Sequence, residues 1–406
     1  MDYKLNKKLK LNVSVKTFHE FGLKFIKNVK IIDDKNRFNI IYDIVYNLLN
    51  KNYYLFKTYM ILDNSLLLFS KKDKIKHYIC NNITLDCIKY IDKIKVYGEY
   101  KNKTITFKIF NIIFTKIYSE YNKYLKLNNL IEFEDIIIKA NIKNVNYKYV
   151  IVDEYQDISK NRFIFLKKLL DYTNASFIGV GDDFQAIYGF SGSNVNYFIN
   201  LKEYIPDLKI LKIINTYRNS QELINVAGNF ILKDKNMINK SLKSNKTIKS
   251  PIILIYYKSR VEALFKILNS INNGTVGILS RFNFDNEEFL NHFKKENDHY
   301  IYKNLKLYFM TIHKSKGLEF DNVIITNNNK GIYGFPSNKT NKKIFKQFKL
   351  DLNEERRLFY VGLTRTKNRV YLMVNKHKKS SFIKEIKKRD KNISFIKVNI
   401  IYIILN

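Results

Sequence analysis

Apolar positions along this chain fall into two rhythms. From residue 147 onward, short apolar runs stand apart from one another, each closed by polar or glycine-containing turns. YVIVDE (149–154) and ASFIGVGD (175–182) read as strands, and the amphipathic stretch from Asn161 to Leu170 joins them as a helix. A second series follows after a polar Lys/Asn-rich loop (233–249): SPIILIYY (250–257), TVGILS (275–280), LYFMTIH (307–313), NVIIT (322–326) and RVYLMV (369–374). Strands alternating with helical stretches predict parallel sheets with crossover helices, and two such alternations place a ligand site in the cleft between them. Residues 12–30 read as a short strand entering a helix, with Thr17 at the turn. Residues 35–145 keep a helix-like period, rich in lysine and aromatics, and carry no chemical motif. No internal repeat is visible.

The length of 406 residues suffices for two or three cored domains, and 46% hydrophobic residues argue for a globular chain. Lys and Arg total 72 against 37 acidic residues, a net charge of +35. Such an excess points to a polyanion, nucleic acid first. Compositional drift toward Lys, Asn, Ile and Tyr produces the same excess, so charge alone leaves both origins open. Cys80 and Cys87 form no CxxC pair, and the six histidines have no metal-ligand spacing. No apolar stretch is long enough to cross a bilayer, and MDYKLNKKLKLN has no apolar core behind its basic residues. The expectation is an intracellular, soluble protein with no membrane partner. The basic stretch HKKSSFIKEIKKRDKN (377–392) reads as a solvated helix face or a nucleic-acid contact.

Chemistry concentrates where the first strands end. YVIV runs straight into Asp153 and Glu154, where α/β proteins present ligand-facing groups. One carboxylate there can hold Mg²⁺ while its neighbour orients or deprotonates water. Equally, Asp153 and Asp157 can serve as helix caps. In SFIGVGDDFQAIYGFSGS (176–193), the amide of Gln185 suits a phosphate or a water, and Tyr188 and Phe190 suit base stacking or core packing.

Taken in order, these segments resemble the UvrD/Rep-type superfamily 1 helicases. VDEYQD and VGDDFQAIYGFSGS are similar to that family's second and third motifs. NTYRNSQELINVAG (215–228), MTIHKSKGLEFDNVII (310–325) and EERRLFYVGLTRTKNRVYL (354–372) are similar to the fourth, fifth and sixth. VKTFHEFG (15–22) resembles the TFH motif, IEFEDII (131–137) the acidic helix before the second motif, and GIYGFPS (331–337) a loop between the last two. The resemblance covers residues 13–375, densely after 130.

It implies an α/β fold of two RecA-like motor domains with parallel sheets, the first one incomplete, plus a mainly helical accessory insertion. The expected boundaries are 1–30 and 131–205 for the first motor domain, 31–130 for the insertion and 206–406 for the second motor domain. It implies an ATP-dependent DNA helicase or translocase in repair or replication, with ATP and Mg²⁺ as cofactors and single-stranded or partly duplex DNA as partner. Asp153 would hold the metal, Glu154 activate water, Gln185 sense the γ-phosphate, and Arg218 and Arg365 clamp phosphoryl oxygens. Pairing of Arg218 with Glu222, or of Arg365 with Glu354 or Glu355, is the structural alternative. Tyr217, Gly317 and Glu319 would meet the nucleotide; Thr17, Phe18, His19, Tyr188, Phe190, Thr311 and His313 would meet the strand.

The sequence departs from the family in its phosphate cradle. None of its 13 glycines is followed by lysine, so no Gly-Lys-Thr/Ser loop occurs, nor the Gln motif that precedes it. The expectation is an N-terminally truncated chain: a split gene with a separate polypeptide carrying the P-loop, a decayed fragment, or an ATPase-dead nucleic-acid-binding remnant. Phe190 and Ser191 stand where the family has tryptophan then arginine, and Asn219–Phe309 is too short an interval for the family's large accessory insertion.

Overall fold

The computed structural model describes residues 13–51, 72–98, 105–337, 351–387 and 393–397. The N-terminal dodecapeptide and the end of the basic stretch, 388–392, lie outside them. The chain divides into two compact units, one holding Met1–Val180 with Ser191–Asn194 and Lys342–Phe345, the other Gly181–Phe190, Val195–Asn341 and Lys346–Asn406.

In the first unit, residues 13–17 form no strand; Thr17 instead caps the helix Phe18–Leu23 by accepting from Glu20 N. Strands β1 (Lys30–Ile31) and β2 (Leu130–Ile131) pair in parallel. The helical period holds in three helices, Asp34–Lys51, Lys72–Tyr97 and Ile105–Leu127. Phe107, Phe110, Phe114, Ile117 and Tyr121 recur on one buried stripe of the last helix, and Tyr90 meets the first three rings edge-on. Cys80 and Cys87 are buried free thiols, and burial pushes Cys80 up to about 11, which makes it a packing residue. Where these helices meet the IEFEDII segment, Arg37 pairs with Asp92 and Glu132 at 2.8 Å each, and Lys95 pairs with Glu132 and with Asp135 at 2.7 Å. Tyr121 donates to the same Glu132 at 2.8 Å.

Strand β3 (Tyr149–Val152) runs parallel to β4 (Ser176–Gly179), linked by the helix Lys160–Thr173. Ser159 caps that helix at its start and Asn174, at φ 52°, ends it. Phe165 and Leu169 carry it onto a core with Ile137, Ala140 and Ile142. The opposite face of the strand pair is bare: Tyr149, Ile151, Ile178 and Val180 are all exposed.

The second unit is built on an eight-stranded sheet. Its parallel part comprises β5 (Ile252–Tyr257), β6 (Gly274–Ser280), β9 (Leu305–Thr311), β10 (Asn322–Ile325), β11 (Val370–Asn375) and β12 (Ile393–Lys397). Alternate residues serve opposite faces. Ile252, Leu254, Leu279, Val323, Ile325, Val370 and Leu372 pack toward helices Gln221–Ile231, Leu352–Thr364 and Ser381–Lys387. Ile255, Val276, Ile278, Ile324, Tyr371 and Met373 pack toward the helix Arg260–Asn269. Burial on both faces is why these strands read as near-continuous apolar runs. An antiparallel hairpin, β7 (Lys294–Glu296) and β8 (His299–Tyr302), extends the sheet through an Asn297-Asp298 turn with Asn297 at φ 51°, giving the strand order β12-β5-β11-β10-β6-β9-β8-β7.

Candidate functional site

In the first unit β3 ends on two exposed carboxylates. Glu154 adopts left-handed backbone, φ 50° and ψ 40°, a conformation that costs an L-residue about 1 kcal/mol or more. The turn is held by buried neighbours: Tyr155 N donates to Val180 O at 2.8 Å, and Tyr155, Gln156 and Ile158 are buried. Asp153 accepts from Glu154 N at 2.9 Å, and Gln156 donates to the Glu154 carboxylate. The fold thus spends backbone strain to present both acids at a strand end. Mg²⁺ needs only one or two protein carboxylates and keeps its waters, so this donor pair suits it.

The TFH residues have intramolecular positions. Thr17 is the helix cap, Phe18 packs edge-on to Phe165, and His19 is buried, stacked 3.8 Å from Phe133 with Nε2 3.6 Å from the Glu134 carboxylate. The nearby His19 ring holds Glu134 below its ordinary value, with the Arg162 guanidinium adding to the effect.

The second unit gathers most of the remaining candidates. Gln185 ends the short turn Asp183–Gln185; its Nε2 donates to Asp182 at 2.7 Å and its Oε1 accepts from Arg365 Nη2 at 3.1 Å. Arg365, 2% exposed, caps the C-terminus of the Leu352–Thr364 helix and also donates to Val361 O at 3.2 Å. Arg218 pairs with Glu319 at 2.9 Å, not with Glu222, whose carboxylate accepts from Ile248 N. Lys367 joins Glu319 at 3.2 Å, and Arg218 together with Lys367 holds that carboxyl below its usual range. Both partners of the Arg218–Glu319 pair are partly exposed, so a competing phosphoryl oxygen displaces little stabilisation. Gly317 takes φ +80° in open space, and Tyr217 projects with 87% of its surface exposed. The guanidiniums, the amide and an exposed ring suit phosphoryl oxygens and a base.

A second cluster adjoins it. Tyr188, Phe190 and His313 meet edge-on or tilted at 5.2–6.3 Å, with Tyr188 Oη donating to His313 O at 3.3 Å. Phe190 is 65% exposed. Thr311 is buried at the end of β9, its hydroxyl accepting from Lys314 N. Lys316 ties the clusters together, donating to Gln185 O at 3.0 Å and lying 5.1 Å from the Tyr188 ring. Sequence reasoning missed Lys316, Arg281 and Lys240, which bridges the Asp182 and Asp183 carboxylates. A lysine beside Gly317 was the available signal for Lys316; for the others a basic chain offers none. Among the described residues no group of three or more metal-ligating side chains occurs.

Two family models match this chain. The UvrD/REP helicase N-terminal domain covers residues 1–206, and the UvrD-like helicase C-terminal domain covers 298–377. ATP-dependent DNA helicase Rep of Buchnera aphidicola subsp. Baizongia pistaciae is 29% identical over 286 residues, 64% of this chain and 37% of that protein. DNA helicase IV of Escherichia coli is 30% identical over 281 residues, 66% and 40% of the two chains. A probable DNA helicase of Mycoplasma pneumoniae is 30% identical over 282 residues, 62% and 50%. The chain therefore spans half or less of the length of each of these relatives.

Proposed function

Because this chain belongs to the UvrD/Rep helicase family, we propose that it supplies the strand-binding and phosphate-sensing parts of an ATP-dependent DNA helicase or translocase. The observation that carries this reading is the part-buried Arg365–Gln185 hydrogen bond, with Lys316 running from Gln185 to the Tyr188 ring. It couples a phosphate-seeking guanidinium to the aromatics that receive bases. Asp153 would hold Mg²⁺, which neutralises phosphoryl charge when bound, and Glu154 would take a proton from water at its carboxylate. Arg218 would leave Glu319 for a phosphoryl oxygen, Arg365 would keep its planar donors aimed by Val361 O and Gln185, and Tyr217 would cover the base. Phe190 and the neutral His313 ring would stack unpaired bases of single-stranded or partly duplex DNA.

A second reading, a strand-binding module without turnover, is favoured by one observation: no glycine in the sequence precedes a lysine. The residues present fit the metal and the outer phosphate oxygens; they do not include the loop that cradles β- and γ-phosphates. Hydrolysis stimulated by single-stranded DNA, measured on the purified chain and on Arg365→Ala, separates the two. Turnover that falls at least a hundredfold in the variant supports the motor reading. Strand binding without turnover supports the module, and absence of both overturns both.

A further inference from the structure

We infer that the second unit carries another base-stacking station, formed by Phe284 and Tyr333 over Phe282, which receives unpaired bases of the same strand beyond Phe190 and His313. The inference rests on the strand-binding reading above and extends it.

Three rings make the station. Phe282 and Phe284 stack at 5.3 Å with 6° between their planes, and Tyr333 stands edge-on to both at 5.7 and 5.3 Å. Two of them face solvent, Phe284 at 47% and Tyr333 at 49% exposed. Exposed rings in such an arrangement are unusual for packing alone, because they bury little area. The Arg281 guanidinium lies 4.8 Å from the Phe282 ring.

The loop bearing Tyr333 is held in shape. Asn327 Nδ2 donates to Tyr333 O at 3.0 Å and to Asp285 at 2.9 Å, and Phe335 N donates to Asn329 O at 3.0 Å. A Cβ on Gly334 would meet Asn329 O at 2.0 Å, so only glycine permits this fold of the loop.

Consecutive carboxylates tie the two stations together. On the first turn of the Leu352–Thr364 helix, Glu354 accepts from Phe190 N at 3.3 Å, and Gly189 leaves the room for it, since a Cβ there would sit 2.6 Å from Oε2. The next residue, Glu355, accepts from Arg281 at 2.7–2.8 Å and from Ser337 N at 3.0 Å. Ser280 and Thr311 are paired across β6 and β9, so Arg281 and His313 leave neighbouring strand ends. The nearby acids are already engaged: Glu355 by Arg281, and buried Asp285 by Phe282 N and Asn327. They add little repulsion to a phosphate backbone, and the chain as a whole carries +35.

The test uses fluorescein-labelled thymidine and uridine oligonucleotides of about four and about sixteen residues, a span that single-strand sites typically cover. Phe284→Leu/Tyr333→Leu keeps apolar volume and loses the rings. It is expected to weaken binding of the long oligonucleotide about tenfold and leave the short one unchanged. Phe190→Leu is expected to weaken both. A 5-bromodeoxyuridine-containing long oligonucleotide should cross-link to a peptide containing Phe284 or Tyr333. Equal affinity of double variant and parent at both lengths, with no such cross-link, overturns the second station and leaves the strand-binding reading standing. Failure of the parent chain to bind either length overturns that reading instead. The thymidine and uridine arms assign the strand as DNA or RNA.

Discussion

Burial against Tyr188 and Phe190, with the Arg281 guanidinium nearby, pulls the His313 imidazole from 6.5 to about 4. It is therefore a neutral ring at physiological pH, suited to stacking. Folded and unfolded states are both neutral above 6.5, and the native packing is then fully retained. Between 6.5 and 4 the unfolded chain takes up a proton that the folded one refuses, so stability falls as pH falls. Replacing His313 with Asn should flatten that part of the profile; urea midpoints for both proteins between about pH 4 and 7 check it. An unchanged slope would remove His313 as its source. At this scale the sequence spoke unevenly. The place of Asp153 and Glu154 at a strand end was legible because an apolar run points straight at them. The bond from Arg365 to Gln185 was not, since its partners are separated by 180 positions and only the folded sheet brings them together. Thr17 and His19 show the converse: motif residues whose side chains the structure commits to a helix cap and a buried stack.

Among the elements, the helices of the first unit depend on charge as well as on apolar stripes. Lys95, near the end of the Lys72–Tyr97 helix, is almost fully buried between Glu132 and Asp135, and its backbone carbonyl accepts from Asn161 at 2.7 Å. Removing one partner strands the others in a poorly solvated place. Lys95→Met should destabilise this unit by about 3–5 kcal/mol, read as a shift of the urea transition, whereas Lys123→Met on the exposed surface should change it by less than about 0.5 kcal/mol. Equal, small effects would show that the cluster is solvated in solution. The parallel strands of the second unit were readable because both faces are buried and their residues are uniformly apolar. The β7–β8 hairpin was not: KKENDHYIY is polar and lies at the sheet edge, and its one signal, Asn297-Asp298, sits in a chain crowded with asparagine.

For the molecule as a whole, a high positive charge coexists with uncovered apolar surface. Tyr149, Ile151, Ile178 and Val180 leave one face of a parallel strand pair open, although parallel sheets normally bury both. Like charge keeps copies apart at low ionic strength; salt screens it beyond a few ångströms. Raising salt from about 0.05 M to about 1 M should therefore drive association detectable by light scattering, and Ile151→Lys should suppress it. Association that ignores this substitution would locate the contact elsewhere. The α/β class followed from periodicity. Which residues would stay exposed did not, because exposure depends on what packs where, and apolar runs look alike whether covered or bare.

The Leu352–Thr364 helix has one further consequence. Its first turn grips the Phe190 loop, Arg281 and the 331–337 loop through Glu354 and Glu355, and its last residue leads into Arg365. Thirteen residues of α-helix make a strut of about 20 Å that barely stretches or bends. Arg365 at one end and the loops bearing Phe190 and Tyr333 at the other are therefore joined by a single rigid element. On the motor reading proposed above, force on the Arg365 guanidinium would reach those rings through this one element, the mechanical requirement for turning a local charge event into a step along a strand.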